Sequence, residues 1–368
     1  MKRYYLLFSA VILFLVFGCN EELAVYRIGA IVPLTGDAEA YGQVVKSGLT
    51  LALEEINAGG GIKTKPLDIF FEDDGTDPNK AIQKANGLIQ ASKVPLLIGG
   101  ITSTEALALA PVCEKSKTIL LSPSASSPKL SGVGQYFFRN YPSDTLEAPV
   151  MAEYAVRKMK IRSVAILYID KDYGQGLEQV FKKRFTELGG TVTYEKGYTE
   201  GTSDFAADIT ELKKSPPDAL YLPGYYTEIA AILKELDKQK EKIKVISSGG
   251  MASPRILEMA EATAEGVIFP AAPYDPKSTD ATVQKFVAAY KKKFYSEPDV
   301  YAAYAYDALK VVAKAIEACS QYPQDLRSHV ADVNYHGVTG DIAFDQNGDV
   351  AVTPHLFQVK DGKFVPAP

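Results

Sequence analysis

The sequence is poor in the side chains that most often perform catalysis or bind metals. Its 368 residues include three histidines, three cysteines and no tryptophan. His329, His336 and His355 all lie late in the chain, away from the loops considered below. The chain also lacks a Walker loop, a nucleophile elbow and a GxGxxG motif after its first apolar run, so the usual markers of phosphate cofactors and acyl transfer are missing. We therefore expect no catalytic residue, no metal site and no cofactor, and predict that the protein is not an enzyme.

The charge of the chain is nearly balanced and dispersed. It has 40 basic and 45 acidic residues, a net charge of −5, and no basic cluster of the kind that binds a nucleic-acid backbone. This excludes nucleic acid as a partner. A hydrophobic fraction of 46% is typical of a globular protein, and two lobes are the natural expectation at this length.

Targeting features are concentrated at the N-terminus. Lys2 and Arg3 precede the apolar stretch LLFSAVILFLVF, which Gly18 and Cys19 follow. The stretch is too short for a good membrane span and indicates a signal segment. A small residue before Cys19 resembles the bacterial lipoprotein signal, although Phe17 is bulkier than that pattern prefers; an ordinary secretory signal with an incidental cysteine is the alternative. We predict that residues 1–19 contain the signal and lipid-anchor cysteine, and that the protein lies in the periplasm or on the cell surface, attached to the membrane only by lipid.

The two remaining cysteines, Cys113 and Cys319, form an even pair in a predicted oxidising compartment, which allows a disulfide. Both also fall within apolar helical patterns, where cysteine is often a small buried side chain. The pattern slightly favours burial and leaves the pairing open.

Short β-branched runs alternate with helical patterns along the rest of the chain. Val45, Leu49 and Ala52 recur at helical spacing before the breaker NAGGG, and similar faces occur near residues 79–91, 104–115, 174–188 and 281–294. The strand-like runs are VYRIGAIVP, LDIFFED, VPLLIGG, TILLSP, SVAILYID, TVTYEKG, ALYLPG and KVISSGG. This alternation predicts an α/β fold in which parallel sheets carry helices on both faces.

The runs form two sets of about four strands, which predicts two lobes. We expect the chain to cross between the lobes near FFRNYPSDT (137–145), near residue 270 and near residue 337, and we expect Asp144 to cap the helix after the first crossing. Three crossings make both lobes discontinuous and create a cleft with a hinge. The predicted lobes are residues 24–142 with 272–336, and residues 143–271 with 337–368.

Loops at the carboxyl ends of the predicted strands are rich in Ser, Thr, Gly and Tyr and contain few charges. Ligands of open parallel sheets bind at such ends. Ser103, Ser124 and Ser126, with free amides at helix N-termini, would form an uncharged cradle for a carboxylate, because orphan N–H groups and the helix dipole favour negative charge. Taken singly, each serine is equally well explained as a helix cap or turn residue.

Tyrosines supply the complementary signal in the same loops. Tyr41, Tyr173, Tyr225 and Tyr226 lie at predicted strand ends, where aromatic rings offer stiff contact area with a hydroxyl still available. The alternative is that tyrosine, present 22 times, is simply abundant and that ordinary burial explains several of these positions.

The ordered strings of the chain carry a family likeness. IGAIVPLTGDAEAYGQVVKSGLTLALEEINAGGGI, then FEDDGTDPNKA, LIGGITSTEALALAP, LLSPSASSP and IDKDYGQGL resemble the leucine/isoleucine/valine branch of type I periplasmic binding proteins, the solute receptors of ATP-driven importers. The resemblance covers nearly all of the chain after the signal. It implies a monomer of two Rossmann-like lobes that are joined by three crossovers and close around a ligand, with a permease and an ATPase as partners.

The resemblance also implies a set of ligand-binding residues. Tyr41 matches an aromatic residue over the ligand, and Ser103 matches the hydroxyl that meets its carboxylate. The segment Ser124, Ala125 and Ser126 matches the loop that supplies amides, a carbonyl and a second hydroxyl. From the second lobe, Tyr173 and Tyr225 match the aromatic residues that close over the ligand.

One departure from the family pattern concerns the ammonium of an amino acid. Amino-acid receptors of this branch usually place an acid after the last strand of the second lobe, where this sequence reads SSGGMASP, with Gly249 or Gly250 at the position. We include Gly249 among the predicted ligand-binding residues. A buried ammonium without a carboxylate partner is costly. Glu228 is a candidate substitute, although its spacing better suits a helix cap.

Two kinds of ligand therefore follow from the sequence: an amino acid, most simply a branched-chain or other apolar one, or a non-amino organic or aromatic carboxylate. We expect an importer receptor. A sensory ligand-binding module on the same fold is the second hypothesis.

Overall fold

The computed structural model describes residues 25–368, and the predicted signal segment with Cys19 lies outside this range. Within it the chain forms alternating strands and helices. The strands are β1 (Tyr26–Val32), β2 (Leu67–Asp73), β3 (Leu96–Gly99), β4 (Ile119–Ser122), β5 (Phe137–Arg139), β6 (Ser163–Ile169), β7 (Thr191–Tyr198), β8 (Ala219–Leu222), β9 (Lys244–Ser247), β10 (Ile268–Ala271), β11 (Tyr335–Gly337), β12 (Gly340–Ile342), β13 (His355–Lys360) and β14 (Lys363–Pro366). The helices are α1 (Glu39–Ala58), α2 (Pro78–Gln90), α3 (Ser103–Ser116), α4 (Asp144–Arg157), α5 (Asp172–Glu187), α6 (Ala206–Leu212), α7 (Tyr226–Lys238), α8 (Arg255–Ala260), α9 (Ala281–Phe294), α10 (Val300–Ala318) and α11 (Leu326–Ala331).

The first sheet is parallel and has the strand order β2-β1-β3-β4-β5. Strand β1, which lies between β2 and β3, is apolar on both faces: Ile28 and Ala30 belong to the same core as α1, whereas Ile31 belongs to a second core with α2 and α3. Burial on both faces explains why β1 reads as a continuous apolar run.

The second sheet has the order β14-β13-β10-β9-β8-β6-β7. Strands β6 to β10 are parallel, and β13 and β14 add an antiparallel edge beside β10. Helices α4 and α5 pack together, and α4 also contacts β10. The predicted α/β fold of two lobes with parallel sheets is therefore confirmed, with an antiparallel edge that the sequence analysis did not include.

The chain passes between the lobes three times. It leaves the first sheet after β5, returns after β10, since α9 and α10 pack on α1, and passes again to β13 after the hairpin of β11 and β12. The exact lobe boundaries stay a prediction. Residues 344–350 turn back beside β5, where the Arg139 N–H donates to the Gly348 carbonyl at 2.9 Å.

The N-terminal caps of α2 and α4 can be compared with the local sequence. Asp77 caps α2, accepting the N–H groups of Asn79 and Lys80. The prediction that Asp144 caps α4 was wrong by one residue: Ser143 is the cap and accepts the Thr145 N–H at 3.3 Å. Ser143 competes successfully because its extended backbone directs its hydroxyl at the first turn. Asp144 then becomes the first helical residue and is fully buried.

Cys113 and Cys319 are both buried and do not pair with each other. Each lies in a different apolar cluster. None of the helices in residues 25–368 has the length and apolarity needed to cross a bilayer.

Arg139, at the end of β5, has no exposed surface. Its guanidinium donates to an Asp349 carboxylate oxygen at 2.6 Å, to the Ser127 carbonyl at 2.9 Å and to the Ser131 hydroxyl at 2.8 Å. It therefore joins the hairpin at residues 344–350 to the loop after β4, and the ion pair balances a charge that would otherwise be buried alone.

We predict that Asp349→Ala lowers the free energy of unfolding by about 3 kcal/mol, because it leaves the buried guanidinium without its carboxylate. The measurement is urea denaturation. Glu211→Ala, which breaks the exposed pair between Glu211 and Lys214, is the control and is expected to cost less than about 1 kcal/mol. Equal effects of the two substitutions would contradict the role given to Arg139.

Glu105, in the first turn of α3, is a buried acid without an ion pair in residues 25–368. Only 2% of its surface is exposed, and its Oε2 has no hydrogen-bond partner. Burial, reinforced by the negative charge of Asp74, raises the pKa of Glu105 to about 8. Between the ordinary carboxyl pKa and this value the folded state binds more protons than the unfolded state, so the free energy of unfolding falls as pH rises.

We predict that Glu105→Gln has a higher free energy of unfolding than wild type. The difference between the two proteins is expected to be larger at pH 8 than at pH 5 by at least about 1 kcal/mol. Urea denaturation at both pH values measures this. Glu317→Gln, at an exposed position of α10, is expected to show no such change. An advantage of Glu105→Gln that is the same at both pH values would rule out the proposed charge penalty.

Candidate functional site

A cavity lies between the two lobes, at the carboxyl ends of the strands. All eight predicted ligand-binding residues, from both lobes, line it, together with six that the sequence analysis did not select. The lining residues are Tyr41, Ile101, Thr102, Ser103, Ser124, Ala125, Ser126, Tyr141, Glu147, Tyr173, Tyr225, Gly249, Gly250 and Tyr301. The structure thus brings the predicted set together, and their contact with a ligand stays a prediction.

Four helices that follow strands into this region, α1, α3, α5 and α7, lack a side-chain cap at the N-terminus. Elsewhere, by contrast, Asp77 caps α2 and Asp280 caps α9. A helix without a cap leaves first-turn N–H groups that need an acceptor. At α3, the first helical residue is Ser103 and lines the cavity, so these donors and the positive end of the helix dipole suit an anion.

The serine loop after β4 is held firmly against the start of α3. The Ser124 hydroxyl donates to the Ile101 carbonyl at 2.7 Å, and the Ser103 hydroxyl accepts the Ser127 N–H at 3.1 Å. Because the Ser103 hydroxyl acts here as an acceptor, its own proton remains available for an acceptor in the cavity. Ser124 uses its hydroxyl to fix the loop, which leaves Ser103 and Ser126 as the hydroxyls best suited to a ligand.

Tyrosine rings form the apolar walls of the cavity. Tyr173 and Tyr225 are stacked, with centroids 5.4 Å apart and planes 2° from parallel, and Tyr41 meets Tyr225 edge to face at 5.9 Å. Tyr141 and Tyr301 complete the wall and stack on each other at 6.1 Å. Such packing fixes the rings before any ligand arrives.

Sequence reasoning missed Tyr141 and Tyr301 because neither lies in a loop at the end of a predicted strand. Tyr141 belongs to the first crossing, and Tyr301 starts α10, where the pattern VYAAYAYDAL is that of a core helix. Nothing in the local sequence distinguishes them from ordinary buried tyrosines.

Direct hydrogen bonds join the lobes around the cavity. The hydroxyl of Tyr41 donates to the Gly250 carbonyl at 2.8 Å, and that of Tyr301 donates to the Gly249 carbonyl at 2.9 Å. On the other side, Lys129 pairs with Asp172 at 2.7 Å. The lobes therefore stand in a closed arrangement in which the glycine turn after β9 contacts first-lobe tyrosines.

An acid that the sequence analysis did not identify lies inside the cavity. Glu147, from the first turn of α4, is 2% exposed, and one of its carboxylate oxygens accepts the Gly249 N–H at 2.7 Å. Burial, followed by repulsion from Asp144, holds the pKa of Glu147 well above its usual range. Glu228, the substitute considered from sequence, does not line the cavity and instead accepts the Gly201 N–H at 2.8 Å.

Outside the cavity, within residues 25–368, Cys319, Asp325 and His329 bring potential metal-ligand atoms within 4.8 Å of one another. The Asp325 carboxylate already accepts the N–H groups of Ser320 and Gln321, at 2.8 and 2.9 Å. Asp325 therefore stabilises the turn at residues 320–325, and this structural role explains the cluster.

Solved structures of similar fold include a leucine binding protein, LivK, from Thermotoga maritima, with a TM-score of 0.88 and 28% identity over 93% of this chain and 97% of that one. A solute binding protein of an ABC transporter from Rhodopseudomonas palustris, in complex with 3,4-dihydroxybenzoic acid, has a TM-score of 0.84 and 25% identity over 92% of this chain and 95% of that one.

In sequence, this chain is 30% identical to Leu/Ile/Val-binding protein homolog 1 from Brucella abortus over 344 residues, which cover 92% of each chain. The model of the periplasmic binding protein family matches residues 25–363. The resemblance inferred from the sequence is therefore confirmed, and the chain belongs to the periplasmic binding protein family.

Proposed function

We propose that this protein is an extracytoplasmic solute receptor of an ABC importer, which captures a small carboxylate-bearing ligand between its lobes. The observation that carries the proposal is the cavity between the lobes in which uncapped helix N-termini meet a wall of tyrosines.

In the proposed mechanism the first lobe binds the ligand before the second closes on it. The carboxylate accepts hydrogen bonds from the first turn of α3 and from the hydroxyls of Ser103 and Ser126. Hinge motion then brings Tyr173 and Tyr225 over the ligand, and the Tyr41 hydroxyl meets the Gly250 carbonyl, as in the closed arrangement observed. Closure excludes water and presents one joined surface to a membrane partner.

Two ligand classes are consistent with the relatives. One structural relative is a leucine binding protein, and another is complexed with 3,4-dihydroxybenzoic acid. Both classes offer a carboxylate, and they differ in the presence of an ammonium. Our first candidate is a branched-chain or other amino acid, and an organic or aromatic carboxylate is the second.

We further propose that the receptor works as a monomer, delivers its ligand unchanged to a permease and ATPase, and is anchored through lipid on Cys19. Membership of the family supports the extracytoplasmic location. A sensory module would signal occupancy without transport; stimulation of a reconstituted importer's ATPase by the loaded receptor distinguishes the two roles.

We predict that thermal unfolding of residues 20–368 shifts upward by several degrees when the correct ligand is present at a hundredfold excess over its dissociation constant, a gain of about 2.7 kcal/mol. The scan includes apolar, polar and acidic amino acids, and aliphatic and aromatic carboxylates. A scan in which no compound shifts the midpoint would contradict the receptor function.

We predict that Ser103→Ala weakens the affinity for the compound found in that scan by about tenfold, because a hydrogen bond to a charged carboxylate contributes roughly 1.5–3 kcal/mol. Titration calorimetry measures the affinity. Ser116→Ala, at the exposed last turn of the same helix, is the matched control. If both variants bind like wild type, the carboxylate does not lie at the start of α3.

We predict that wild-type cells incorporate labelled palmitate into this protein and that Cys19→Ser abolishes the labelling and releases the protein from the membrane fraction. A variant that remains membrane-bound would contradict the anchor.

A further inference from the structure

The cavity contains one acidic side chain and no basic one. Of the residues that line it within residues 25–368, Glu147 alone has a carboxylate, and none is Lys, Arg or His. Hydroxyl and amide donors make the rest of the polar lining suitable for an anion, as described above. The lining of this one cavity therefore combines two opposite kinds of polar group.

Glu147 occupies space that Gly249 leaves open. A Cβ atom added to Gly249 would lie 2.6 Å from the second carboxylate oxygen of Glu147, closer than real Cβ contacts allow. The other oxygen accepts the Gly249 N–H at 2.7 Å. The position where the sequence analysis found glycine in place of an acid is thus filled by a carboxylate from α4, on a different element of the same lobe.

The surroundings of Glu147 provide no counter-ion in the described part of the chain. The groups that act on it are the Asp144 carboxyl and the Gly249 amide, whereas Arg139 acts on Asp144. A negative charge on Glu147 adds to the effect of burial in raising the pKa of Tyr141 and of Tyr173. A buried carboxylate with one hydrogen bond and no cation is costly, and a ligand ammonium would remove that cost.

We infer that the ligand carries an ammonium beside its carboxylate, and that Glu147 accepts this ammonium while Gly249 leaves the room for it. This inference rests on the proposed function and narrows it to amino acids. The carboxylate lies at the start of α3 and the ammonium lies against α4, so the zwitterion spans the two lobes. A ligand with a carboxylate alone provides no cation for Glu147, so this side chain must stay protonated in that complex, whereas a ligand ammonium allows it to ionise and form an ion pair.

The test compares matched pairs that differ only in the amine: L-leucine with 4-methylpentanoate, and L-phenylalanine with 3-phenylpropanoate, together with other L-amino acids and their deaminated forms. Titration calorimetry of residues 20–368 gives the affinity ratio for each pair. We expect wild type to prefer the amino acid by about 100-fold or more in the pair that binds, since the deaminated form leaves the buried carboxylate without a partner.

Glu147→Gln keeps the shape of the side chain and an oxygen for the Gly249 N–H but removes the charge. We expect it to melt no lower than wild type without ligand and to reduce the preference for the amino acid by about tenfold or more. Gly249→Ala, which forces Glu147 away, is expected to reduce the preference as well. Glu228→Gln changes a buried acid outside the cavity and is expected to leave the ratio unchanged.

The inference is overturned if Glu147→Gln has the same ratio of affinities for the amino acid and its deaminated form as wild type. A wild-type preference for the deaminated form overturns it as well, and leaves the receptor function intact. If wild type binds neither series but binds another carboxylate of the thermal scan, the inference fails and the receptor function stands. If wild type binds no compound of that scan either, the proposed function itself fails, and the inference falls with it.

Discussion

Polar groups that are buried together in a cavity must find partners there, and this requirement governs the site. The first turn of α3 offers N–H groups without a side-chain cap, and Glu147 offers a carboxylate without a cation among residues 25–368. The first demands an anion and the second a cation. A zwitterion satisfies both groups, whereas a simple carboxylate satisfies the N–H groups and leaves Glu147 without a cation.

The glycine pair at residues 249 and 250 makes this arrangement sterically feasible. A Cβ on Gly250 would lie 2.2 Å from the Gly224 carbonyl oxygen, and one on Gly249 would strike Glu147. Without side chains, the turn after β9 fits between α4, the loop after β8 and the hydroxyls of Tyr41 and Tyr301. The same two residues therefore provide close packing between the lobes and room for the acid.

Much of the fold and part of the site follow from the sequence. The alternation of β-branched runs and helical faces predicts parallel sheets, and parallel strands bring loops such as those of Tyr41, Ser103 and Tyr225 to one edge. That geometric rule explains why residues far apart in sequence share one cavity. Tyr141 was missed because it follows β5, a strand that the sequence analysis did not predict, and Tyr301 was missed because it lies in a helix rather than in a strand-end loop.

The sequence analysis did not identify Glu147, for a related reason. The sequence analysis sought an acid where a family pattern places one, after the last strand of the second lobe, and found glycine. The carboxylate comes instead from α4, and its aim depends on where that helix begins. The one-residue error at the start of α4 matters here, since Ser143 rather than Asp144 fixes the first turn. Tertiary packing determines which side chains of α4, after the first crossing between the lobes, are buried in the cavity. No local sequence pattern indicates this.

The most direct measurement is a crystal structure of residues 20–368 with the L-amino acid that gives the largest thermal shift. The account predicts that the ligand ammonium lies about 3 Å from a Glu147 carboxylate oxygen and that the ligand carboxylate lies against Ser103 at the start of α3. A ligand in the reverse orientation, or with its ammonium directed away from Glu147, would contradict it.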